Sequence, residues 1–280
     1  MREIHVDRIT QAVRDMVMDA CVNLGPDMVR ALDRARQTEK SPLGLAVLDE
    51  IVENAELARA ERIPMCQDTG TAVFFVDVGQ DVHIVGGLLA DAINEGVRRG
   101  YRDGYLRASI VGDPFKRVNT KDNTPAVIHA DIVAGDRIRI AFTAKGAGSE
   151  NMGRLQMLKP SDGKEGVTKF VLETIKLAGP NACPPLVVGV GIGGSFDKVA
   201  SLAKHAIMRD VGTPSHDPDV AAYERELLEK ANQLGLGPQG MGGTTTALAI
   251  HVETYPCHVA SLPVAVNIQC HANRHREVVL

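Results

Sequence analysis

The sequence predicts a mixed α/β chain of the α+β kind: a helical N-terminal region over about residues 1–60, then a mixed-sheet region with helices over about 61–280, read as one domain. Three observations carry this. Apolar residues recur at helical spacing through the first sixty positions. Short β-branched and aromatic runs bounded by turn residues begin at Thr71. From there helical and extended patterns intermix, with no internal repeat, low-complexity tract or flexible linker.

Taken in order, Asp15–Leu24 and Asp27–Arg36 carry apolar residues three and four apart. Ser41-Pro42 ahead of LGLAVLDEIVENAELARA is a helix start, with Ser41 as N-cap and Pro42 at the first helical position. Thr71–Val78 (TAVFFVDV) reads as a strand and Val82–Val85 as a second, with Gly79-Gln80-Asp81 as the turn. Leu88–Arg99 returns to helical periodicity, and 100–123 is a polar, ordered loop. Ala126–Val133 and Arg137–Ala144 read as strands paired around Ala134-Gly135-Asp136. Residues 146–162 are loop-like, and Glu165–Leu177 is an amphipathic helix. Leu186–Val190 is an apolar strand followed by helix Phe196–Met208. Asp217–Leu234 is a charged surface helix, and Thr245–Val252 and His258–Asn267 read as strands.

Composition narrows the function classes. The chain has 280 residues, of which 44% are apolar, enough for a large core. A net charge of −4, no Trp and 4% aromatics argue against a nucleic-acid or polybasic membrane binder. The apolar runs Pro185–Ile192 and Ser261–Ile268 are too short to span a bilayer. The N-terminal stretch lacks the apolar core and cleavage site of a signal peptide, so a cytoplasmic location is expected.

Five cysteines, an odd number, argue against a disulfide framework. Cys21 lies in the apolar helical pattern MVMDACVNL and reads as packing. Cys66 (IPMCQDTGTA), Cys183 (GPNACPP) and Cys270 (NIQCHANRH) instead lie at element boundaries beside Pro, Gly or polar residues. Without a C-x-x-C pair, a structural zinc site is disfavoured. From the residues alone three readings stay open. They are dispersed buried thiols, a cysteine nucleophile or catalytic zinc, and a 4Fe–4S cluster held by three thiolates with one iron left to act as a Lewis acid.

Polar loops form a second constellation. Gln67-Asp68-Thr69-Gly70 follows Cys66 directly, Arg107 lies in YLRASIVGDPF, and Gly146 opens GAGSEN after a strand. A carboxylate-bearing substrate suits such partners, because Arg binds carboxylates bidentately and Gly-rich turns offer backbone N–H groups. Each also reads as an ordinary turn or surface ion pair. Gly189-Val190-Gly191-Ile192-Gly193-Gly194 fits G-x-G-x-x-G between a strand and a helix, which keeps a nucleotide-binding oxidoreductase open as an alternative. The confirming element is missing: RDVGTPSHDPD follows the helix, where a second strand ending in an acid belongs. His258 reads either as a core histidine or as a group facing a substrate carboxylate. Its neighbour Cys257 reads as packing.

The stretches IPMCQDTGTAVFFVDVG, KGAGSENMGRLQMLKPSDG, ACPPLVVGVGIGGSFDKVASLAKHA and GLGPQGMGGTTTALAIHVETYPCHVASLPVAVNIQCHANRH resemble, together, the alpha region of class I fumarate hydratases and L(+)-tartrate dehydratases. The resemblance runs from about residue 4 onward. It implies an iron–sulfur hydro-lyase hydrating fumarate to L-malate, or alternatively dehydrating tartrate or acting on mesaconate. It implies a 4Fe–4S cluster held by Cys66, Cys183 and Cys270. It also implies a substrate pocket lined by Gln67, Asp68, Arg107, Gly146 and His258, with Asp68 the candidate for proton transfer. Single-chain members continue past the Cys270 region into a second domain, so the resemblance further implies a separate beta subunit completing the active site.

Overall fold

The computed structural model describes residues 2–280. Its elements are β1 (Arg2–His5), α1 (Val6–Val22), α2 (Pro26–Thr38), α3 (Pro42–Glu61), β2 (Thr71–Gly79), β3 (Val82–Val85), α4 (Leu89–Asp103), β4 (Val127–Val133) and β5 (Ile138–Lys145). They continue with α5 (Ala147–Glu150), β6 (Arg154–Leu158), α6 (Gly163–Ala178), β7 (Leu186–Gly193), α7 (Phe196–Ala206), α8 (Pro218–Asn232), β8 (Ala247–Tyr255), β9 (Leu262–Gln269) and β10 (His275–Val279). The mixed α+β class is as expected. The chain forms two compact units: one of residues 1–25, 54–147 and 274–280, the other of residues 26–53 and 148–273. The helices of the first sixty residues are shared between them, α1 in one and α2 in the other.

The first unit is built on a sheet of order β10-β5-β2-β4. β2 takes a central place because TAVFFVDVG is apolar on both faces and nearly buried throughout. It pairs antiparallel with β5 and parallel with β4. The expected hairpin of β4 with β5 is therefore not formed: β2 lies between them, and the largely exposed β4 is left at the edge. The expected hairpin of β2 with β3 is also absent. Gly79, Gln80 and Asp81 give their amides to Arg137, Val133 and Gly135, and β3 pairs parallel with β1. Arg2–His5, expected to be helical, is that partner strand. α1 and α4 pack Ile9, Val13, Val17, Ile93 and Val97 against Phe74, Ile140 and Phe142 of the sheet. Their close approach depends on Gly96, where a Cβ would lie 2.7 Å from the Thr10 carbonyl oxygen. The polar segment before β4 is ordered by side-chain-to-backbone bonds, such as Asp113 Oδ1 accepting from Phe115 N and Lys116 N.

The second unit has a sheet of order β6-β9-β7-β8. Leu186, Val188 and Val190 face α6 and α8, packing on Phe170, Ile175, Tyr223 and Leu227. The opposite face of β7 carries Gly189 and Gly191 against α7. Ser41 caps α3, its Oγ accepting from Gly44 N at 3.1 Å, and Asp217 caps α8 through Asp219 N and Val220 N. β6 replaces part of the expected loop over 146–162. RLQML has no β-branched residue to signal a strand, yet it pairs antiparallel with β9. β9 begins at Leu262 and not at His258, because Ser261 N bonds back to the His258 carbonyl and closes a turn. None of the helices among the described residues is long and apolar enough to cross a membrane.

Candidate active site

In the first unit the Cys66–Gly70 turn leads into β2, and its backbone is held from several sides. Met65 N donates to the Cys21 carbonyl at 3.0 Å. The Tyr101 hydroxyl is 2.8 Å from both the Thr69 and Gly70 carbonyls, and Asn123 Nδ2 donates to Gly70 at 3.1 Å. Arg274 Nη1 donates to the Asp68 carbonyl at 2.8 Å. Gly70 takes φ +78°, and a Cβ there would lie 2.8 Å from Lys145 N, so only glycine fits. Burial pushes the Tyr101 phenol up, which keeps it a hydrogen-bond donor.

This clamped backbone sets the side chains. Asp68 is half-buried. Its Oδ1 accepts from Gly70 N at 3.0 Å and its Oδ2 from Ala147 N at 2.7 Å. Gly146 is buried against it: a Cβ there would meet Asp68 Oδ2 at 3.2 Å and Arg274 Nη2 at 3.7 Å. Arg107 is joined to the same turn through its carbonyl, which accepts from Thr69 Oγ1 at 3.0 Å. Its side chain is exposed and, among the described residues, its guanidinium has no hydrogen-bond or ion-pair partner. Gln67 is exposed and Cys66 half-buried. The unit thus brings together Cys66, Gln67, Asp68, Arg107 and Gly146 from three distant segments. A carboxylate held by two amides, on a turn bonded to the backbone of an arginine whose side chain is exposed, has the groups to exchange a proton and to bind an anion.

Two buried cations of this unit were not singled out by sequence reasoning. Arg274 is 1% exposed and Lys145 is 2% exposed. Arg274 stands in the NRH of the quoted stretch NIQCHANRH, and Lys145 opens KGAGSEN, so both lay inside recognised motifs. Nothing in their spacing marks them as buried.

In the second unit Cys183 and Cys270 lie at the same end of the sheet, ahead of β7 and just after β9. Cys183 precedes β7 in a left-handed conformation, φ 53° and ψ 65°, which is uncommon for a side-chain-bearing residue. Its carbonyl accepts from His271 N at 3.3 Å and lies 3.0 Å from His271 Nδ1. Gln239 Nε2 is 3.1 Å from the same Nδ1 and donates to the Pro184 carbonyl at 3.0 Å. Beneath Cys270 a buried polar chain runs from Ser149 Oγ to Gln269, Asn273 and the Ile207 carbonyl, each step at 3.3 Å. The left-handed backbone and the bonded junction thus fix two cysteine positions on adjacent strand ends.

His258 is at the other end. It is exposed in the turn between β8 and β9, its Nδ1 accepting from Ala260 N at 3.1 Å. β9 runs from Leu262 to Gln269, so roughly 23 Å of strand separates this turn from Cys270. His258 and Cys257 instead line a surface depression of about 790 Å³ with Phe196 and Tyr255.

The glycine run of β7 has a packing explanation. Gly189 and Gly191 lie inside the strand and not in a strand-to-helix turn. A Cβ at Gly189 would sit 2.1 Å from the Ala203 carbonyl oxygen, and one at Gly191 2.4 Å from that of Val199. Gly193 has φ +89°, and a Cβ there would sit 2.0 Å from the Tyr255 carbonyl oxygen. Gly189 and Gly191 serve helix-on-sheet contact and Gly193 a close approach to β8, so the nucleotide fingerprint loses its support.

Comparison with known proteins matches residues 10–279 to the family model of fumarate hydratase (Fumerase). A protein of Methanocaldococcus jannaschii, provisionally named L(+)-tartrate dehydratase subunit alpha, is 42% identical over 273 residues, 95% of each chain. The L(+)-tartrate dehydratase subunit alpha of Escherichia coli strain K12 is 34% identical over 273 residues, covering 96% of this chain and 89% of its own. With the family model spanning nearly its whole length and relatives matching end to end, the chain belongs to the fumarate hydratase (Fumerase) family and is a hydro-lyase.

Proposed function

We propose that this chain is the alpha subunit of a cytoplasmic hydro-lyase that reversibly hydrates fumarate to L-malate and is completed by a beta subunit. The observation that carries the reading is Asp68: a carboxylate fixed by Gly70 N and Ala147 N, beside Gly146, on a turn whose Thr69 hydroxyl is bonded to the backbone carbonyl of Arg107. Arg107 binds one carboxylate of the substrate, Gln67 offers its amide, and Asp68 holds or moves a proton at its carboxylate oxygens. The Gly146 backbone leaves room for a carboxylate to come close. A second dicarboxylate charge needs further cations in a water-poor site, which the beta subunit supplies.

The donor chemistry of the second unit fits a thiolate-held inorganic group: Cys183 and Cys270 are fixed on neighbouring strand ends, and soft sulfur ligands select iron–sulfur clusters. We assign Cys66, Cys183 and Cys270 as the ligands of a 4Fe–4S cluster, following the resemblance of their motifs. Such a cluster, when bound, supplies a Lewis-acidic iron for the departing hydroxyl. His258 belongs to the substrate side only when contributed by a second copy of the chain, because β9 carries it away from Cys270 in its own.

A second reading, L(+)-tartrate dehydratase, is favoured by the names of the relatives. The substrates differ by one hydroxyl, and kcat/KM of the two-subunit enzyme for L-malate and L(+)-tartrate decides between them. The cluster assignment is tested by iron and sulfide analysis of anaerobically prepared protein. About four irons per chain are expected, with loss of the cluster in Cys66→Ser, Cys183→Ser and Cys270→Ser. A full cluster retained in any of the three refutes the ligand set.

A further inference from the structure

We propose that Arg274 is a positioning residue for the hydration reaction: its buried guanidinium holds the Asp68 turn in register from below. The inference rests on the reading of Asp68 as the proton-transfer group.

A guanidinium is costly to remove from water, so one that is 1% exposed calls for a specific return. Arg274 Nη1 donates to the Asp68 carbonyl at 2.8 Å. Its Nη2 and the Asp68 Oδ2 face a common point, since a Cβ on Gly146 would meet them at 3.7 and 3.2 Å. One side chain therefore grips the backbone of Asp68 and flanks the space its carboxylate occupies. The anchor is itself rigid: the Arg274 carbonyl accepts from Ala144 N at 3.1 Å, on the strand that leads to Gly146. A neutral donor of similar reach would hold the carbonyl, but without the second guanidinium nitrogen that faces the space beside Asp68 Oδ2. Arg274 also follows Cys270 by four residues, so one short segment carries a proposed cluster ligand and the clamp of the proton-transfer turn.

The test uses the assembled two-subunit enzyme with Arg274→Lys, Arg274→Gln and, separately, Asp68→Asn. Misplacing a reacting group by about 1 Å costs about 10²-fold in rate. Arg274→Gln is expected to lower kcat about 10²-fold with KM changed less than about threefold, and Arg274→Lys to recover about tenfold of that loss. Peptide-level hydrogen exchange supplies a readout independent of turnover. Residues 66–70 should lose protection in both Arg274 variants while β2 and β5 keep theirs. Wild-type kcat and wild-type exchange in Arg274→Lys and Arg274→Gln overturn the proposal. So does loss of protection spread evenly through β2 and β5, which marks a role in folding alone. Arg274→Lys carries the test if Arg274→Gln does not fold. If Asp68→Asn retains wild-type kcat, the reading of Asp68 fails instead, which separates the two outcomes.

Discussion

Gly146→Ala is a steric probe of the Asp68 carboxylate. Gly146 is absent from the positive-φ positions, so alanine meets no backbone penalty there. The added methyl lies 3.2 Å from Asp68 Oδ2, inside ordinary van der Waals contact, so the carboxylate must retreat by a few tenths of an ångström. It cannot do so freely, because Ala147 N holds the same oxygen at 2.7 Å and Gly70 N holds the other at 3.0 Å. Scaling from about 10²-fold per ångström of misplacement gives a loss in kcat of about three- to tenfold. That corresponds to about 0.7–1.4 kcal/mol of barrier. The assay is steady-state kinetics of the reconstituted enzyme at saturating L-malate, with the thermal midpoint measured in parallel and expected to move by less than about 3 °C. In the Asp68→Asn background the alanine should add little, since the group it displaces is already lost. Unchanged kcat, or equal losses with and without Asp68, refutes the claim that Gly146 acts through that carboxylate.

Three further outcomes follow from the same geometry. Arg107→Ala should raise KM for either dicarboxylate by about 10–100-fold, as one charge-assisted pair is removed, while kcat falls less; unchanged KM in steady-state kinetics contradicts its role. Gly189→Ala should destabilise the chain by about 1–3 kcal/mol in urea unfolding by driving a methyl into the Ala203 carbonyl, and calorimetry should find no NAD binding to either form. Glu39 gives a pH signature. Partial burial works to raise its pKa, but the backbone N–H groups of Ser41, Thr244 and Thr245 outweigh this and hold it at about 2, below the ordinary 4.5. A depressed folded-state pKa stabilises above the unfolded value and is lost as pH falls toward the folded one. The difference between wild type and Glu39→Gln should therefore be full at pH 6, about 1–2 kcal/mol after screening, and fade between about pH 4.5 and 2. A gap that does not change with pH in urea titrations rejects it.

Local signals carried most of the elements. Ser41-Pro42 and Asp217 mark helix starts that the structure keeps, and the apolar run at Thr71 becomes the buried strand β2. Pairing was less legible. Turn residues at Gly79–Asp81 and Ala134–Asp136 suggest hairpins, but the doubly apolar β2 draws both β4 and β5 to its sides. Strands such as Arg154–Leu158 and His275–Val279 carry little intrinsic signal and exist through their partners. The site shows the same division. Cys66 through Gly70 and Gly146 stand out by residue type and position, whereas the burial of Arg274 and the far placement of His258 depend on register along β9 and β10.

The first unit joins the two extremes of its own numbering. Arg2 Nη1 donates to the Leu280 carbonyl at 3.3 Å, and Leu280 exchanges backbone bonds with Ile138 at 2.8 and 3.2 Å. During synthesis on the ribosome, β2, β4 and β5 emerge long before β10 can bind the open side of β5, so this sheet must wait with one border uncovered. Maturation of the Asp68 turn is then tied to residues translated well after β5, and a nascent chain arrested near residue 270 holds its cysteines without the arginine that grips the Asp68 backbone.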